Sequence, residues 1–273
     1  MKNKDVHNND DRIIASIPPE RALVLDGGIL GAKRHIIYGL VEVDVTRARE
    51  IRQEQDQDNR VSFTAYLIAC LARVVADNPH VQAYKFGNKN IMFRDVDVST
   101  MIEAEKGGVA IPHIIREANK RSVRDISDEI KRIKTHPEQS EQKSGKFVKM
   151  ATKLPRCVRM IFYSVMKKNP DMLRDKMGTV MLTSVGMFGN GNGFGITYMP
   201  LHTLGLTVGG IQTKPGIVNG EIVPRDYLSL TIAFDHDTVD GAPAARFTKD
   251  LVRIMEEGSL MEENEEDEQA KAE

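Results

Sequence analysis

The sequence predicts an α/β layered domain, and two observations support this fold class. Segments rich in β-branched residues alternate along the chain with segments whose apolar residues recur at helical spacing. The 273 residues are also enough to bury the core of one large domain or of two small ones. No internal repeat is visible, so a repeat architecture is not expected.

The first part of the chain predicts a strand followed by two helices. Residues 35–46, HIIYGLVEVDVT, have the β-branched composition of a strand, and Thr46 is predicted to cap the helix that follows. Residues 62–79 predict a buried helix with Ser62 as its N-cap and a proline beyond its end.

Further strands and a capped helix are predicted next. Residues 90–103 predict one or two strands, and residues 107–115 predict another, in which Pro112 indicates a sheet edge or a bulge. Ser122 with Asp125 three residues later is typical of a capping box at the start of a helix. The apolar residues of this helix recur at helical spacing: Val123, Ile126, Ile130 and Ile133.

The second half of the chain contains an unusual basic segment. Residues 142–170 hold eight Lys or Arg and no carboxylate, and we interpret residues 137–178 as a basic amphipathic insertion. Residues 178–189, GTVMLTSVGMFG, predict a strand that runs into a glycine turn. Two more strands follow, and the last helix has Pro243 near its first turn, where no N–H partner exists.

Composition excludes several classes of protein. The 38 basic and 39 acidic residues nearly cancel, whereas a general nucleic-acid binder needs a basic excess. The two cysteines have no metal-ligand spacing and indicate buried thiols in a reducing compartment. No signal peptide or apolar run of membrane-spanning length is visible, so a soluble cytoplasmic protein without a transmembrane segment is expected.

The clearest candidate for chemistry is His236, in the segment TIAFDHDTVDGAPAARF. Side chains alternate along a strand, so Asp235 and Asp237 would point away from the histidine, which argues against a metal site. An isolated Asp-His-Asp is more often a polar strand end before a helix, with Asp240 near the N-cap. A neutral histidine is nevertheless the usual general base near pH 7.

Acyl transfer also needs a donor where negative charge develops on the carbonyl oxygen. Thr183 and Ser184 offer adjacent hydroxyls at a strand end, although such residues are most often part of a turn.

These segments resemble one family. FDHDTVDGAPAARF is similar to the Asp-His-Arg-x-x-Asp/Asn-Gly-Ala signature of the dihydrolipoyl acyltransferase catalytic domain of 2-oxo acid dehydrogenase complexes. TSVGMFG resembles the Thr/Ser turn of the same family, and VEVDVT, GGVAIPHIIREANKRSVRDISDEI and LTVGGI match further segments in order. The resemblance covers roughly residues 30 to 258 and extends to the more distant chloramphenicol acetyltransferases.

The resemblance implies a fold and an assembly. The fold is the chloramphenicol-acetyltransferase-like two-layer sandwich, a mixed sheet with packed helices. In the family the catalytic histidine and hydroxyl come from different subunits of a trimer. The implied domain is residues 13–260, between a disordered N-terminus (1–12) and an acidic disordered tail (261–273). Because that tail is highly charged, a discrete homotrimer without a larger core is expected.

The resemblance also implies roles for residues. His236 would take a proton from the thiol of coenzyme A, which acts as a substrate, or of dihydrolipoamide. Thr183 would stabilise the oxyanion, and Asp240 would hold the histidine loop, paired with Arg21. The further positions assigned to substrate binding are Ser184, Gly186, Arg21 and Asp237.

The chain also departs from the family. Asp237 stands where the family has arginine, the insertion lengthens one connection, and no lipoyl or subunit-binding domain is recognisable, so a lipoyl group or an acidic carrier domain would come from a partner protein. Two alternatives to thiol-to-thiol acyl transfer therefore stay open. One is a non-catalytic trimeric scaffold, and the other is coenzyme-A-dependent transfer to a small hydroxyl or amine acceptor.

Overall fold

The computed structural model describes residues 6–9, 12–15, 21–57, 59–103, 111–140, 154–185 and 193–262. The helices are α1 (Arg21–Gly31), α2 (Thr46–Glu54), α3 (Phe63–Asp77), α4 (Val123–Thr135), α5 (Arg156–Lys167), α6 (Pro170–Met177) and α7 (Gly241–Glu257). The strands are β1 (Val6–Asn9), β2 (Arg12–Ala15), β3 (Ile36–Asp44), β4 (Tyr84–Phe86), β5 (Lys89–Ile91), β6 (Val98–Ile102), β7 (Ile111–Ile115), β8 (Val180–Ser184), β9 (Leu204–Val218) and β10 (Glu221–Asp235).

The central sheet has six strands in the order β3-β10-β9-β8-β6-β7. Strand β8 runs parallel to both β6 and β9, while the remaining neighbours are antiparallel. The sheet is therefore mixed, as the sequence predicted. Strand β7, which carries Pro112, lies at the edge where a missing N–H is tolerated.

One face of this sheet packs against helices. Alternate residues of β10 point into the core, where α3 and α7 cover them. The core members from this strand are Leu228, Leu230, Ile232 and Phe234. The intervening residues, which include Thr231 and Asp235, lie on the opposite face. The molecule is thus the two-layer α/β arrangement that was predicted.

Helix α4 begins as predicted. Ser122 accepts a hydrogen bond from the backbone of Asp125, whose side chain accepts one in return from the backbone of Ser122, which completes the capping box. The four predicted apolar residues of this helix are all buried.

Thr46 differs from its predicted role. Val45 occupies the N-cap of α2, and Thr46 is the first helical residue. The Thr46 hydroxyl donates to Asp44 Oδ1 (2.6 Å) and accepts from the backbone of Asp226 (2.8 Å). It therefore connects β3 to β10 and does not cap the helix.

The structure describes short parts of the two segments that were predicted to be disordered. Strand β1, inside the predicted disordered segment 1–12, pairs with β2 in an antiparallel hairpin. Met261, assigned to the predicted tail 261–273, is buried in the main core beside Leu260 because the chain folds back over the core after α7. Residues 263–273 lie outside the described part of the chain.

The predicted insertion forms α5 and α6, which build a second apolar cluster. Its buried members are Leu30, Tyr84, Met166, Leu173 and Leu201. A buried ion pair between Asp26 of α1 and Arg159 of α5 (Oδ2 to Nε, 2.6 Å) fastens the insertion to the domain. Two buried charges are tolerated here because each neutralises the other.

Candidate active site

His236 lies directly after β10, in a turn that hydrogen bonds hold in place. Its backbone N–H donates to the carbonyl of His35 (2.7 Å). The carbonyl of Asp235 accepts from the backbone N–H groups of Thr238 and Val239, each at 3.0 Å. The imidazole itself is 45% exposed. The backbone is therefore fixed while the ring stays accessible to a substrate.

Asp235 is the centre of this turn. Its buried carboxylate accepts hydrogen bonds from Arg34 Nε (2.9 Å) and Nη2, and from the backbone N–H of Asp237 (3.2 Å). A buried carboxylate needs such partners, since burial of an unpaired charge is strongly unfavourable. The ion pair with Arg34 thus ties the start of β3 to the turn that carries His236.

Asp237 is also paired with a residue before β3. Its Oδ1 lies 2.9 Å from His35 Nδ1, and both side chains are exposed. This hydrogen bond lowers the pKa of the Asp237 carboxyl, with smaller contributions from Lys85 and Arg34. The carboxylate that replaces the family arginine therefore has His35 as a hydrogen-bond partner and the positive charges of Lys85 and Arg34 nearby.

Asp240 is placed less tightly than predicted. It occupies the N-cap of α7, but its side chain makes no capping hydrogen bond. Its Oδ1 lies 3.8 Å from His236 Nδ1, which is longer than a hydrogen bond. Within the described part of the chain, the exposed Arg21 makes no ion pair with Asp240. The ion pair that the described residues do form at this turn joins Asp235 to Arg34.

Thr183 and Ser184 end β8 and are half-buried. Thr183 lies opposite Thr207 of β9, which lies opposite Thr231 of β10, so three threonines form a row across the sheet. The Thr231 hydroxyl is buried without a partner in the described part of the chain. Gly186 lies outside the described residues.

The strand register separates the two groups predicted to act together. Thr183 is level with Thr231, and His236 follows Thr231 by five residues. At the usual strand rise, this offset is about 17 Å along the sheet, with about 10 Å across two strand spacings. Proton transfer and oxyanion stabilisation need contacts of about 3 Å. One chain therefore does not bring both groups to the same substrate.

Three residues around the turn were not among the predicted site residues: Arg34, His35 and Asp235. The sequence did contain a signal for them. Asp235 directly precedes the histidine, and Arg34-His35 directly precedes the strand that pairs with it. That pairing between β3 and β10 was not available from the sequence.

Metal ligation and membrane spanning are both absent from the described part of the chain. No group of three or more His, Cys, Asp or Glu side chains in this part of the chain could hold a metal ion. No helix within the described ranges is both long and apolar enough to cross a membrane.

A protein-family model matches most of the chain. The model is that of the 2-oxoacid dehydrogenases acyltransferase catalytic domain, and it matches residues 34–148 and 167–262. The unmatched residues 149–166 lie within the predicted insertion and include nearly all of α5.

Individual relatives agree with this match. The dihydrolipoyllysine-residue acetyltransferase component of the pyruvate dehydrogenase complex of Rickettsia felis is 23% identical over 94% of this chain and 58% of its own length. A probable dihydrolipoamide acetyltransferase of Listeria monocytogenes has a similar structure, with a TM-score of 0.67, 22% identity, and coverage of 91% of this chain and 95% of its own. A chloramphenicol acetyltransferase has a TM-score of 0.53 at 13% identity, covering 85% of this chain and 94% of its own. The chain thus spans a little over half the length of the curated relative it matches.

Proposed function

The chain belongs to the family of 2-oxoacid dehydrogenase acyltransferase catalytic domains, and we propose that it moves an acyl group between the thiol of coenzyme A and a carrier thiol, with His236 as the general base. The observation that carries the proposal is the accessible His236 ring on a turn whose backbone is fixed by Asp235 and His35. A scaffold without activity has no use for a rigid turn that presents an imidazole to solvent.

In the proposed reaction His236 first accepts a proton and later donates it. The neutral ring takes the proton of the incoming thiol while the sulfur attacks the thioester carbonyl. A tetrahedral intermediate forms, with negative charge on the former carbonyl oxygen. As the intermediate collapses, the bond to the leaving sulfur breaks, and the imidazolium of His236 returns the proton to that sulfur. The acyl group has then moved from one sulfur to the other, and the proton has moved in the opposite direction.

Thr183 is the proposed donor to the oxyanion. Its hydroxyl is half-buried at the end of β8, where a neutral donor can face a developing charge. Because the register keeps Thr183 far from His236 of the same chain, the donor would come from a second copy. We therefore include a closed homo-oligomer in the proposal, with an active site at each interface between copies.

A trimer is the proposed assembly, with a mass of roughly 90 kDa from three chains of 30.5 kDa. Six of the seven residues from Glu262 to Glu268 are carboxylates. Docking such a segment into an apolar pocket of another trimer would strip water from several like charges, which is strongly unfavourable. The acyl carrier, whether a lipoyl domain or another acidic carrier, is proposed to be supplied by a partner protein.

The direct test replaces the base. His236→Ala should lower the rate of acyl transfer between acetyl-coenzyme A and dihydrolipoamide by about 10²–10⁴-fold, the usual contribution of a general base. His136→Ala is the matched control, because His136 is also exposed and also lies beside a carboxylate, Glu138. Equal rates for His236→Ala and the wild type would refute the mechanism.

A further inference from the structure

The second apolar cluster brings three separate elements together beside the histidine turn. Leu30 lies near the end of α1, Tyr84 begins β4, and Met166 is the penultimate residue of α5. Leu201 joins the same cluster and leads to Thr203, whose carbonyl accepts from the backbone N–H of Asp235 (2.9 Å). The cluster therefore fixes these elements close to the end of β10.

Each of the three elements carries a lysine next to its buried anchor. Lys33 follows Leu30 by three residues, and the two others directly follow Tyr84 and Met166: Lys85 and Lys167. All three lysines are exposed. None of them forms a salt bridge with a carboxylate in the part of the chain that the structure describes.

The lysines share one electrostatic environment with the histidine turn. Partial desolvation lowers the pKa of Lys167, and the nearby charges of Arg34 and Lys33 lower it further. Lys85 and Arg34 both act on the carboxyl of Asp237. Four positive side chains (the three lysines and Arg34) thus face three carboxylates, Asp235, Asp237 and Asp240, which leaves a net charge of +1 around His236.

Cations without a carboxylate partner repel one another, and a bound anion would offset that repulsion. We propose that Lys33, Lys85 and Lys167 form an anion subsite beside His236, which takes the negatively charged part of the thiol or thioester substrate. The ligand chemistry is a phosphate or a carboxylate, supplied by coenzyme A or by the acyl group. This inference rests on the proposed function.

The insertion acquires a role in this arrangement. Residues 149–166 lie outside the family match and include nearly all of α5, whose buried Met166 shares the second apolar cluster with Leu30 and Leu201 and directly precedes Lys167. The subsite would therefore be a property of this chain and not of every family member.

Equilibrium binding tests the subsite without relying on catalysis. Calorimetry on the full chain compares the wild type with a triple variant, Lys33→Gln, Lys85→Gln and Lys167→Gln. The control variant removes the same charge from α4 and α7, at three other exposed lysines: Lys131→Gln, Lys134→Gln and Lys249→Gln.

The source of the anion is distinguished by two ligand pairs: coenzyme A with pantetheine, and succinyl-pantetheine with acetyl-pantetheine. If the subsite takes phosphate, the triple variant binds coenzyme A about tenfold or more weakly, while its affinity for pantetheine is unchanged. If it takes the acyl carboxylate, the loss occurs with succinyl-pantetheine and not with acetyl-pantetheine. Either result supports the subsite, and in either case the wild-type affinity falls as salt screens the charges.

Three outcomes would overturn the subsite: unchanged binding of all four ligands by the triple variant, an equal loss in the control variant, or no binding by the wild type. The proposed function fails separately. If the wild type binds these ligands through the lysines but shows no acyl transfer, the proposed reaction alone is rejected. If the wild type is active but the triple variant binds the ligands as tightly as the wild type does, the subsite alone is rejected.

Discussion

The ends of strands β10 and β8 differ in the chemistry that they present. At the end of β10, charged side chains surround His236 and are fastened by an ion pair between Arg34 and Asp235. At the end of β8, the row of Thr183, Thr207 and Thr231 offers neutral hydroxyls. The first end can move a proton and attract an anion, whereas the second can donate a hydrogen bond to a developing charge without titrating.

The two ends are also held differently. The histidine turn is fixed by hydrogen bonds and charge, but the hydroxyl end depends on close backbone packing. A side chain at Gly209 would collide with the carbonyl of Gly193, and one at Gly195 would collide with Val185 and Thr207. The loop after β8 can therefore lie directly on β9 only because glycine occupies these positions. Each half of the proposed site is rigid, but the two halves are held far apart within one chain.

After loss of the base itself, the largest effect is expected from removing the proposed donor at the hydroxyl end. Thr183→Val preserves the shape of the side chain and removes its O–H, so kcat should fall by about 10²–10³-fold with a smaller change in KM. Steady-state kinetics of the purified protein measure both constants. Ser184→Ala is the matched control at the neighbouring position.

The opposite pattern would correct the assignment by one residue. If Ser184→Ala abolishes turnover while Thr183→Val leaves it unchanged, Ser184 is the donor. If neither substitution changes kcat, the hydroxyl end takes no part in the reaction.

The next prediction tests whether the two ends cooperate between copies. Chains that carry His236→Ala are co-expressed with an equal amount of chains that carry Thr183→Val. After random assortment into trimers, about a quarter of the interfaces contain both an intact His236 and an intact Thr183. Activity should rise from near background to about a quarter of the wild-type value. Light scattering of the same sample should give a mass of roughly 90 kDa.

A double variant provides the control for this mixture. Chains with His236→Ala, co-expressed with chains that carry both substitutions, contain no intact interface and should stay inactive. If the first mixture also stays inactive although mixed oligomers are isolated, the two groups do not meet between copies, and the division of the site between subunits is wrong.

A smaller effect, on stability, is expected only at the histidine end. His202, just before β9, is buried; its Nε2 donates to the carbonyl of Met177 (2.8 Å), and its Nδ1 has no partner in the described residues. Burial lowers the pKa of His202 from 6.5 to about 4. Between these values the unfolded chain binds a proton that the folded chain does not, so stability is lost as the pH falls.

Chemical denaturation at pH 6.5 and pH 5 measures this loss. The contribution of His202 to the fall in unfolding free energy should be about 1.5 kcal/mol over that interval. His202→Gln keeps a donor for Met177 and should show a smaller fall, while the exposed-site control His136→Gln should behave as the wild type. An identical pH dependence in His202→Gln would show that this histidine is not the acid-sensitive group.

Much of the fold could be predicted from local patterns. The capping box at Ser122, the apolar spacing of α4 and the edge position of Pro112 were all visible as short-range signals and are present in the structure. Thr46 was assigned to a cap because its neighbours in sequence favour one, but a long-range bond to Asp226 decided its role. Met261 was assigned to the tail because of its acidic neighbours, although its own side chain is buried.

The sequence by itself determined the α/β class, the order of the elements, the family and the identity of the candidate base, because these depend on residue type and on spacing along the chain. Only the tertiary structure decided which groups surround that base. The pairing of β3 with β10 brings Arg34 and His35 to the histidine turn, and the second apolar cluster brings Lys167 from the insertion. Register and packing join residues that are far apart in sequence, so no local pattern records that His236 lies five residues beyond the row that contains Thr183.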